Sequence, residues 1–321
     1  MINATERGIR GQFRFWRQAA PAAFTARAGD VHAVVGCGTS VHIADSIAAT
    51  LCHQGFAARA VPGHEWARRP GDYLPGVSPQ VLAISRSGES SETVLAARVS
   101  QAAGMAVTGF TCTAGSALTR VSDRVVFAET HPEEDIVMTS SASLLLLMGL
   151  RFAGLDVPGT IADTAEAVML DFDARLGAAL AGRSHFVFLG GGPLYGIARE
   201  GALKLQEMSL SHTEAHHPLE YRHGPISLID AGAFVVLLYH PDTAEEEAML
   251  ARELQTLGAF VLGFGGPGDL SIDLSIALPA DPLTRGLVAL PALQLLGERV
   301  AQARGLDSTA PRHLSKVVIT P

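Results

Sequence analysis

The sequence predicts an α/β protein made of two tandem, doubly wound parallel sheets. Short apolar runs alternate with helical segments along the chain, a pattern typical of strands that helices cover on both faces. The second half also repeats the first. Three pairs of matching positions are each separated by 154 residues: Gly36 and Gly190, Val81 and Val235, and Gly104 and Gly258. This repeat predicts two related units of the flavodoxin-like, three-layer αβα type.

Composition and charge restrict the class of protein. The chain has 321 residues, 48% of them apolar and 17% charged, which is enough for two globular domains with their own cores. The formal net charge is −8 and no basic run exceeds a dipeptide, so a nucleic-acid partner is not expected. The three cysteines are far apart without Cys-x-x-Cys spacing, and the apolar run 142–150 is too short to cross a membrane. These features predict a reduced, cytoplasmic protein.

The predicted elements follow in order along the chain. Residues 1–30 are expected to form an N-terminal helix that extends to about residue 28, before a first unit at 31–160. A second unit is expected at 180–308, followed by a tail at 309–321. The strands of the first unit are predicted at 32–35, 57–61, 81–84, 105–111 and 124–128, and its closing helix at 137–152.

A hydroxyl-rich turn follows the third predicted strand and leads directly into a helix. The turn has a single glycine, Gly88. Its hydroxyl side chains are Ser85, Ser87, Ser90, Ser91 and Thr93. Unpaired N–H groups at a helix N-terminus, surrounded by hydroxyl donors, are suited to hold a phosphate. The alternative is a turn that only caps its own helix, with Ser90 or Ser91 as the N-cap, and the turn alone leaves both interpretations open.

The corresponding turn of the second unit differs in charge. Residues 239–245 read Tyr-His-Pro-Asp-Thr-Ala-Glu, so this turn is acidic where the first is rich in serine. Because negative charge at a helix N-terminus repels an anion, only the first unit is expected to bind phosphate.

The densest group of ionisable residues lies at 200–224. Glu200, Lys204 and Glu207 have the spacing that places three side chains on one helix face. The alternative is a solvated surface of salt bridges. The helix follows the glycine turn 190–192 at the carboxyl end of a predicted strand, where doubly wound sheets bind ligands, and this position favours a functional cluster.

The histidines of the same stretch have two interpretations. A metal site could use His212, His216, His217 and His223 with Glu214 and Glu220. A metal is disfavoured because no His-Glu-x-x-His helix is present and adjacent histidines on a proline-containing segment cannot easily face one ion. His223 precedes Gly224-Pro225, a turn that can hold one imidazole in place, so it is a candidate acid-base group.

Five short motifs are spread along the chain. They are Gly-Cys-Gly-Thr-Ser at 36–40, Ser-x-Ser-Gly-Glu at 85–89, Glu-Gly-Ala-Leu-Lys-x-x-Glu at 200–207, His-Gly-Pro at 223–225, and Pro-Arg-His-Leu-Ser-Lys at 311–316. Together they resemble the double sugar-isomerase (SIS) domain family, which includes the isomerase half of glucosamine-6-phosphate synthase and the stand-alone SIS-type glucosamine-6-phosphate deaminases. The resemblance extends from about Val31 to the C-terminus.

The resemblance implies roles for individual residues. Glu207 would transfer a proton between C1 and C2 of the sugar, His223 would open its ring, and Lys204 and Lys316 would hold the open chain, with Lys316 able to form an imine with the ketose. The tail would close the site. A homodimer, in which His223 acts across the interface, is implied, and neither a metal nor an organic cofactor is required. The residues implied to bind the sugar and its phosphate are Thr39, Ser40, Ser85, Arg86, Ser87, Ser90, Val137 and Glu200.

The departures from the synthase pattern shape the functional prediction. The chain begins Met1-Ile2-Asn3, so a glutamine-hydrolysing domain is not expected, and Arg86 replaces the glutamine of Ser-Gln-Ser. Arg86 could contact phosphate or face solvent. The sequence therefore predicts an amino-sugar-phosphate deaminase/isomerase that converts glucosamine 6-phosphate to fructose 6-phosphate and ammonia. The alternatives are a phosphosugar aldose-ketose isomerase, a fructosamine-phosphate deglycase, and a non-catalytic sugar-phosphate sensor.

Overall fold

The computed structural model describes residues 2–268 and 271–318. The chain divides into two compact units. The N-terminal unit contains residues 11–160 together with the tail from residue 313, and the C-terminal unit contains residues 161–312 together with the first ten residues.

The helical lead-in is shorter than predicted. It consists of α1 (Ala4–Gly11) and α2 (Phe13–Gln18), and residues 19–30 contain no helix. Pro21 explains the early end, because proline disfavours helical backbone in the residue before it. The short helix α2 is nevertheless firmly packed, since Trp16 is fully buried and its Nε1 donates a hydrogen bond to Ser143 Oγ at 2.8 Å.

The N-terminal unit is a five-stranded parallel sheet with flanking helices, in the strand order β2-β1-β3-β4-β5. Every predicted strand is present, and the closing helix α8 begins three residues later than predicted. The elements are β1 (Val31–Gly36), α3 (Thr39–His53), β2 (Ala57–Pro62), α4 (Gly63–Arg68), α5 (Pro70–Tyr73), β3 (Gln80–Ile84), α6 (Ser91–Ala102), β4 (Val107–Thr111), α7 (Ala117–Arg120), β5 (Arg124–Phe127) and α8 (Ser140–Phe152).

The C-terminal unit has the same topology, with the strand order β10-β9-β8-β6-β7. The predicted duplication is confirmed in detail, since β1 and β6 have matching bounds and the glycines before α3 and α10, Gly38 and Gly192, both have φ 55°. The elements are α9 (Ile161–Leu176), β6 (His185–Gly190), α10 (Pro193–Ser209), β7 (His212–His216), β8 (Ala233–Leu238), α11 (Ala244–Thr256), β9 (Phe260–Phe264), β10 (Leu274–Ile276) and α12 (Pro282–Ala303).

The central strands explain the apolar runs of the sequence. All six residues of β8 and all five of β4 are buried, because helices cover both faces of each sheet. The predicted α/β, three-layer architecture is therefore confirmed. Among the described residues, no helix combines the length and apolar character needed to cross a bilayer.

Candidate active site

The order of strands in the N-terminal unit creates a crevice between the turns after β1 and β3. These neighbouring parallel strands lie where the winding of the sheet reverses, and doubly wound sheets bind ligands at this point. Thr39 and Ser40 begin α3 after β1, and Ser90 precedes α6 after β3. The N-termini of two helices, which carry partial positive charge, therefore adjoin one crevice.

The turn after β3 keeps its hydroxyl groups close to the N-terminus of α6. Ser85 Oγ accepts a hydrogen bond from the Gly88 N–H at 3.1 Å and donates to Ser90 Oγ at 3.4 Å. Ser90 is the N-cap residue by position, but its hydroxyl does not cap the helix.

Gly88 is required by the conformation of this turn. Its φ of 64° lies in the left-handed region, and a Cβ atom at this position would be 2.1 Å from Ser116 Oγ. The turn therefore depends on glycine both for its backbone conformation and for its packing against α7.

The turn after β1 packs against the first turn of α6. Cys37 Sγ lies 3.6 Å from Thr93 Oγ1, and burial raises the pKa of the Cys37 thiol. Thr39 and Ser40 are both 4% exposed at the start of α3. The structure thus brings the two predicted phosphate-binding turns together in one unit.

Of the two alternatives for Arg86, a side chain that faces solvent is wrong. Its side chain is 7% exposed, so it does not face solvent. Its Nη1 donates to the Asp135 carbonyl oxygen at 2.5 Å and its Nη2 donates to the Lys316 carbonyl oxygen at 2.9 Å. Two of its donors are therefore used by the chain itself rather than left for a phosphate.

The segment 128–139 carries Val137, which is 6% exposed, and is fixed by a carboxylate that the sequence analysis did not identify. Glu134 accepts hydrogen bonds from Thr130 Oγ1 at 2.6 Å and from Ser141 Oγ at 2.7 Å. It also accepts from the backbone N–H groups of Thr139 and Ser141 at the start of α8. A carboxylate that precedes a hydroxyl-rich helix start is a capping pattern, and this signal could have identified Glu134.

The C-terminal tail contacts the same part of the N-terminal unit. Lys316 Nζ donates to the Glu134 carbonyl oxygen at 3.3 Å and lies 3.2 Å from Asp135 Oδ1. The Val318 carbonyl oxygen accepts a hydrogen bond from the Ser91 N–H at 3.4 Å, at the first residue of α6. The predicted tail lysine therefore lies beside the predicted phosphate turn.

The C-terminal unit carries the cluster of ionisable residues on α10. Lys204 is 1% exposed and Glu200 is fully buried, with 3.7 Å between Lys204 Nζ and Glu200 Oε1. Lys204 Nζ also donates to Glu207 Oε2, and the Glu207 side chain is 19% exposed. The interpretation of this face as a solvated surface is wrong, because two of its three charges are buried. Glu207 is the member of the cluster that is partly open to solvent.

His223 is exposed. It follows a 3₁₀ turn, Leu219–Arg222, and precedes Gly224, whose φ of 132° only glycine adopts readily. In the described residues, its imidazole makes no hydrogen bond with the side chains of Lys204 or Glu207. The turn geometry therefore sets the backbone position of His223.

Two histidines of the C-terminal unit share one carboxylate as their partner. His185 Nε2 and His216 Nε2 contact the two carboxylate oxygens of Glu214 at 2.7 and 2.9 Å. The buried Tyr221 also donates its hydroxyl to Glu214, at 3.2 Å. Within the described ranges, no group of three or more histidine, cysteine or acidic side chains could hold a metal ion.

The crevice of the C-terminal unit contains a carboxylate of the chain. Glu247 occupies the position in α11 that corresponds to Thr93 in α6, and it is 2% exposed. It accepts hydrogen bonds from the His240 N–H at 2.9 Å and from Thr243 Oγ1 at 2.7 Å. Burial raises the pKa of Glu247 to about 7. A carboxylate thus takes the donors that an anion would need in this unit.

These features define a duplicated, doubly wound α/β protein. One unit carries a candidate phosphate-binding turn, and the other carries a buried lysine-carboxylate cluster. The family model of the SIS domain matches residues 32–153 and 179–272. The chain belongs to the SIS domain family.

Relatives in sequence are longer proteins. The chain is 33% identical over 263 residues to a glutamine-fructose-6-phosphate aminotransferase (isomerizing) of Symbiobacterium thermophilum, a match that covers 74% of this chain and 43% of the relative. It is 31% identical over 306 residues to the aminotransferase of the same name from Methanothermobacter thermautotrophicus, which covers 88% and 50%. The chain therefore spans about half the length of these curated relatives.

Similar solved structures match over nearly the whole chain. The glucosamine-6-phosphate deaminase of Thermotoga maritima aligns with a TM-score of 0.84 and 28% identity, over 99% of this chain and 100% of that one. The tagatose-6-phosphate ketose/aldose isomerase of Escherichia coli aligns with a TM-score of 0.82 and 26% identity, over 99% and 96%.

Proposed function

We propose that this chain is an amino-sugar-phosphate deaminase/isomerase that converts glucosamine 6-phosphate and water to fructose 6-phosphate and ammonia. The observation that carries the proposal is the cluster on α10, where a buried lysine lies between two carboxylates and only Glu207 is accessible. A positioned carboxylate is the group that this proton transfer needs. The similarity to the Thermotoga maritima deaminase over the whole chain supports the choice of substrate.

The phosphate of the substrate is assigned to the N-terminal unit. The hydroxyls of Ser85, Ser87 and Ser90 and the N-termini of α3 and α6, with Thr39 and Ser40, supply donors suited to three phosphate oxygens. The chain has a net charge of −8, so an anionic substrate has to be bound by such a local arrangement.

The reaction then requires ring opening and a proton transfer. His223 acts as the acid-base group that opens the ring and exposes the aldehyde at C1. Glu207 removes the proton from C2 and returns it to C1, which converts the open-chain aldose amine to a ketose imine. Water adds to C2 of the imine and ammonia leaves. Lys204 and Lys316 hold the open chain, and their positive charges offset the charge that develops on oxygen during the proton transfer.

We also propose that the protein is a homodimer in which His223 acts on the partner's substrate. In the single chain His223 is exposed, and it lies near Leu219 and Leu228, whose side chains are 37% and 62% exposed. An apolar surface around an exposed acid-base residue is consistent with a partner subunit that covers it.

A second candidate is a phosphosugar aldose-ketose isomerase. The similarity to the Escherichia coli tagatose-6-phosphate isomerase favours it, because the same turn and the same carboxylate would serve a sugar without an amine.

The test is a substrate panel that measures ammonia release and ketose formation in parallel. We expect ammonia and fructose 6-phosphate from glucosamine 6-phosphate, and neither from unphosphorylated glucosamine. Glu207→Gln is the matched control for contaminating activity. Interconversion of tagatose 6-phosphate without ammonia release would establish the second candidate instead. Tight binding of phosphosugars without turnover of any would reject both and identify a sensor.

A further inference from the structure

We propose that Arg86 is a positioning residue that holds the C-terminal tail, and with it Lys316, against the phosphate turn. Its consequences for catalysis rest on the proposed function, but the contact itself does not. The side chain of Arg86 joins three segments of the N-terminal unit: the turn after β3, the segment 128–139 and the tail.

The backbone of Arg86 is fixed before its side chain reaches the tail. The Arg86 carbonyl oxygen accepts hydrogen bonds from the Cys112 N–H at 3.0 Å and from the hydroxyls of Thr111 and Thr113 at 3.1 and 3.2 Å. Three donors at the end of β4 therefore hold the residue. Because the backbone is held and Arg86 is only 7% exposed, its guanidinium can bind only the groups that surround it in the folded chain.

The guanidinium has the shape that this bridge requires. Its two terminal nitrogens bind two different carbonyl oxygens, one at Asp135 and one at Lys316. A planar fork with fixed donors can bind both oxygens at once, whereas the ammonium of a lysine is a compact charge at the end of a flexible chain. The bridge is therefore specific to arginine.

The two carbonyl groups that Arg86 binds belong to segments held by different contacts. The Asp135 carbonyl belongs to the segment that Glu134 ties to the start of α8 through several hydrogen bonds. The tail has no regular secondary structure in its described residues, 313–318. Arg86 therefore links the tail to the segment 128–139, which is itself hydrogen-bonded to the start of α8.

The first experiment tests the contact without any substrate. Trypsin cleaves after lysine, and in this protein the carbonyl of the bond after Lys316 is the one that Arg86 binds. We expect cleavage after Lys316, followed by intact mass spectrometry, to be roughly tenfold faster in Arg86→Gln than in the parent, as for the loss of one charge-assisted hydrogen bond. The matched control is Arg98→Gln, because Arg98 is an exposed arginine on α6. Equal cleavage rates in Arg86→Gln and the parent would overturn the proposal.

Arg86→Lys separates the bridge from a direct contact with phosphate. If Arg86 acts only through its charge near the phosphate, lysine restores the affinity for substrate, and neither variant is cleaved faster than the parent. If Arg86 bridges two carbonyl groups, Arg86→Lys is cleaved as fast as Arg86→Gln. Full recovery by lysine would overturn the proposal.

The second experiment tests whether Arg86 acts through Lys316. We expect Arg86→Gln and Lys316→Ala each to lower kcat/KM for glucosamine 6-phosphate by roughly tenfold or more, and the double variant to be no worse than Lys316→Ala. Additive losses would overturn the positioning role. If the chain turns over no phosphosugar, the proposed function fails, while the trypsin experiment still decides whether the bridge exists.

Discussion

Glu207 is the residue on which the proposed chemistry depends. Among the three charged residues of the α10 cluster, it combines a contact to Lys204 with a side chain that is partly open to solvent. Lys204 and Glu200 are buried, so the lysine that contacts Glu207 is shielded from solvent and held by the residues packed around it.

Replacement of Glu207 by glutamine is expected to lower kcat by about 100-fold or more, because the variant keeps the shape and loses the base. Binding of glucosamine 6-phosphate should change little. The measurements are kcat and KM, together with exchange of the C1 proton of fructose 6-phosphate in heavy water.

A contrasting variant is His223→Asn. It should impair turnover of the cyclic substrate and spare the exchange at C1 of a sugar that is already open. If Glu207→Gln retained near-normal exchange, another residue would carry the proton, and Glu200 would be tested next.

His32 is a residue whose burial has a cost that depends on pH. It is fully buried in β1 between the rings of Phe56 and Phe152, at centroid distances of 5.9 and 5.7 Å. Neither ring nitrogen has a hydrogen-bond partner among the described residues. Burial lowers the pKa of His32 below its ordinary value of 6.5.

Below pH 6.5, His32 is therefore protonated to a greater extent in the unfolded chain than in the folded protein. Because the unfolded state binds more protons below pH 6.5, stability falls as the pH decreases through this range. We expect His32→Phe, which keeps the aromatic packing, to lose less stability than the parent between pH 7 and pH 5. The measurement is urea unfolding of both proteins at each pH. An equal loss in both would mean that other groups cause the acid sensitivity.

At the scale of secondary-structure elements, the two units differ most at the start of the helix after the third strand. In α6 the N-terminus is surrounded by serine hydroxyls, whereas in the C-terminal unit Glu247 of α11 binds the N–H of His240. The negative charge of Glu247 comes with a burial cost, which appears as a pKa raised to about 7.

Glu247→Gln is therefore expected to change stability in a pH-dependent way. The folded protein holds a proton at Glu247 up to about pH 7, while the unfolded chain loses it near 4.5. The folded state binds more protons between these values, so stability of the parent falls as the pH rises from 4.5 to 7. The advantage of Glu247→Gln over the parent should grow by up to about 3 kcal/mol in this range.

The check is the free energy of unfolding of both proteins at pH 5 and pH 8. Glu246→Gln, at the neighbouring exposed position, is the control that removes the same formal charge. A difference between Glu247→Gln and the parent that is the same at both pH values would contradict a raised pKa.

At the scale of the whole molecule, two units with one topology are expected to bind a single phosphate. We expect calorimetry to give one glucosamine 6-phosphate per chain and no comparable binding of glucosamine. Ser87→Ala combined with Ser90→Ala should weaken binding by roughly tenfold or more, the effect of lost hydrogen bonds to a charged group. The matched variant in the other unit, Thr243→Ala, should leave the affinity unchanged. Two phosphates per chain, or loss of affinity in Thr243→Ala, would place phosphate in the C-terminal unit.

Local sequence patterns determined the architecture. Buried parallel strands require continuous apolar runs, so β1, β3 and β4 could be predicted from the local sequence. The 154-residue repeat followed from matching glycines and apolar runs in the two halves. Helical spacing was also sufficient to place Glu200, Lys204 and Glu207 in one cluster, because neighbours at three and four residues meet on any α-helix.

Only the tertiary structure decided which of these groups are buried and which distant segments they meet. Periodicity could not show that Lys204 is covered, nor that Arg86 binds carbonyl groups at residues 135 and 316. The role of Glu247 was equally hidden, because an acidic helix start has the same sequence whether its carboxylate is in water or on a backbone N–H. The physical reason is that burial and long-range hydrogen bonds depend on what packs against a residue, and local spacing carries no information about residues far away in the chain.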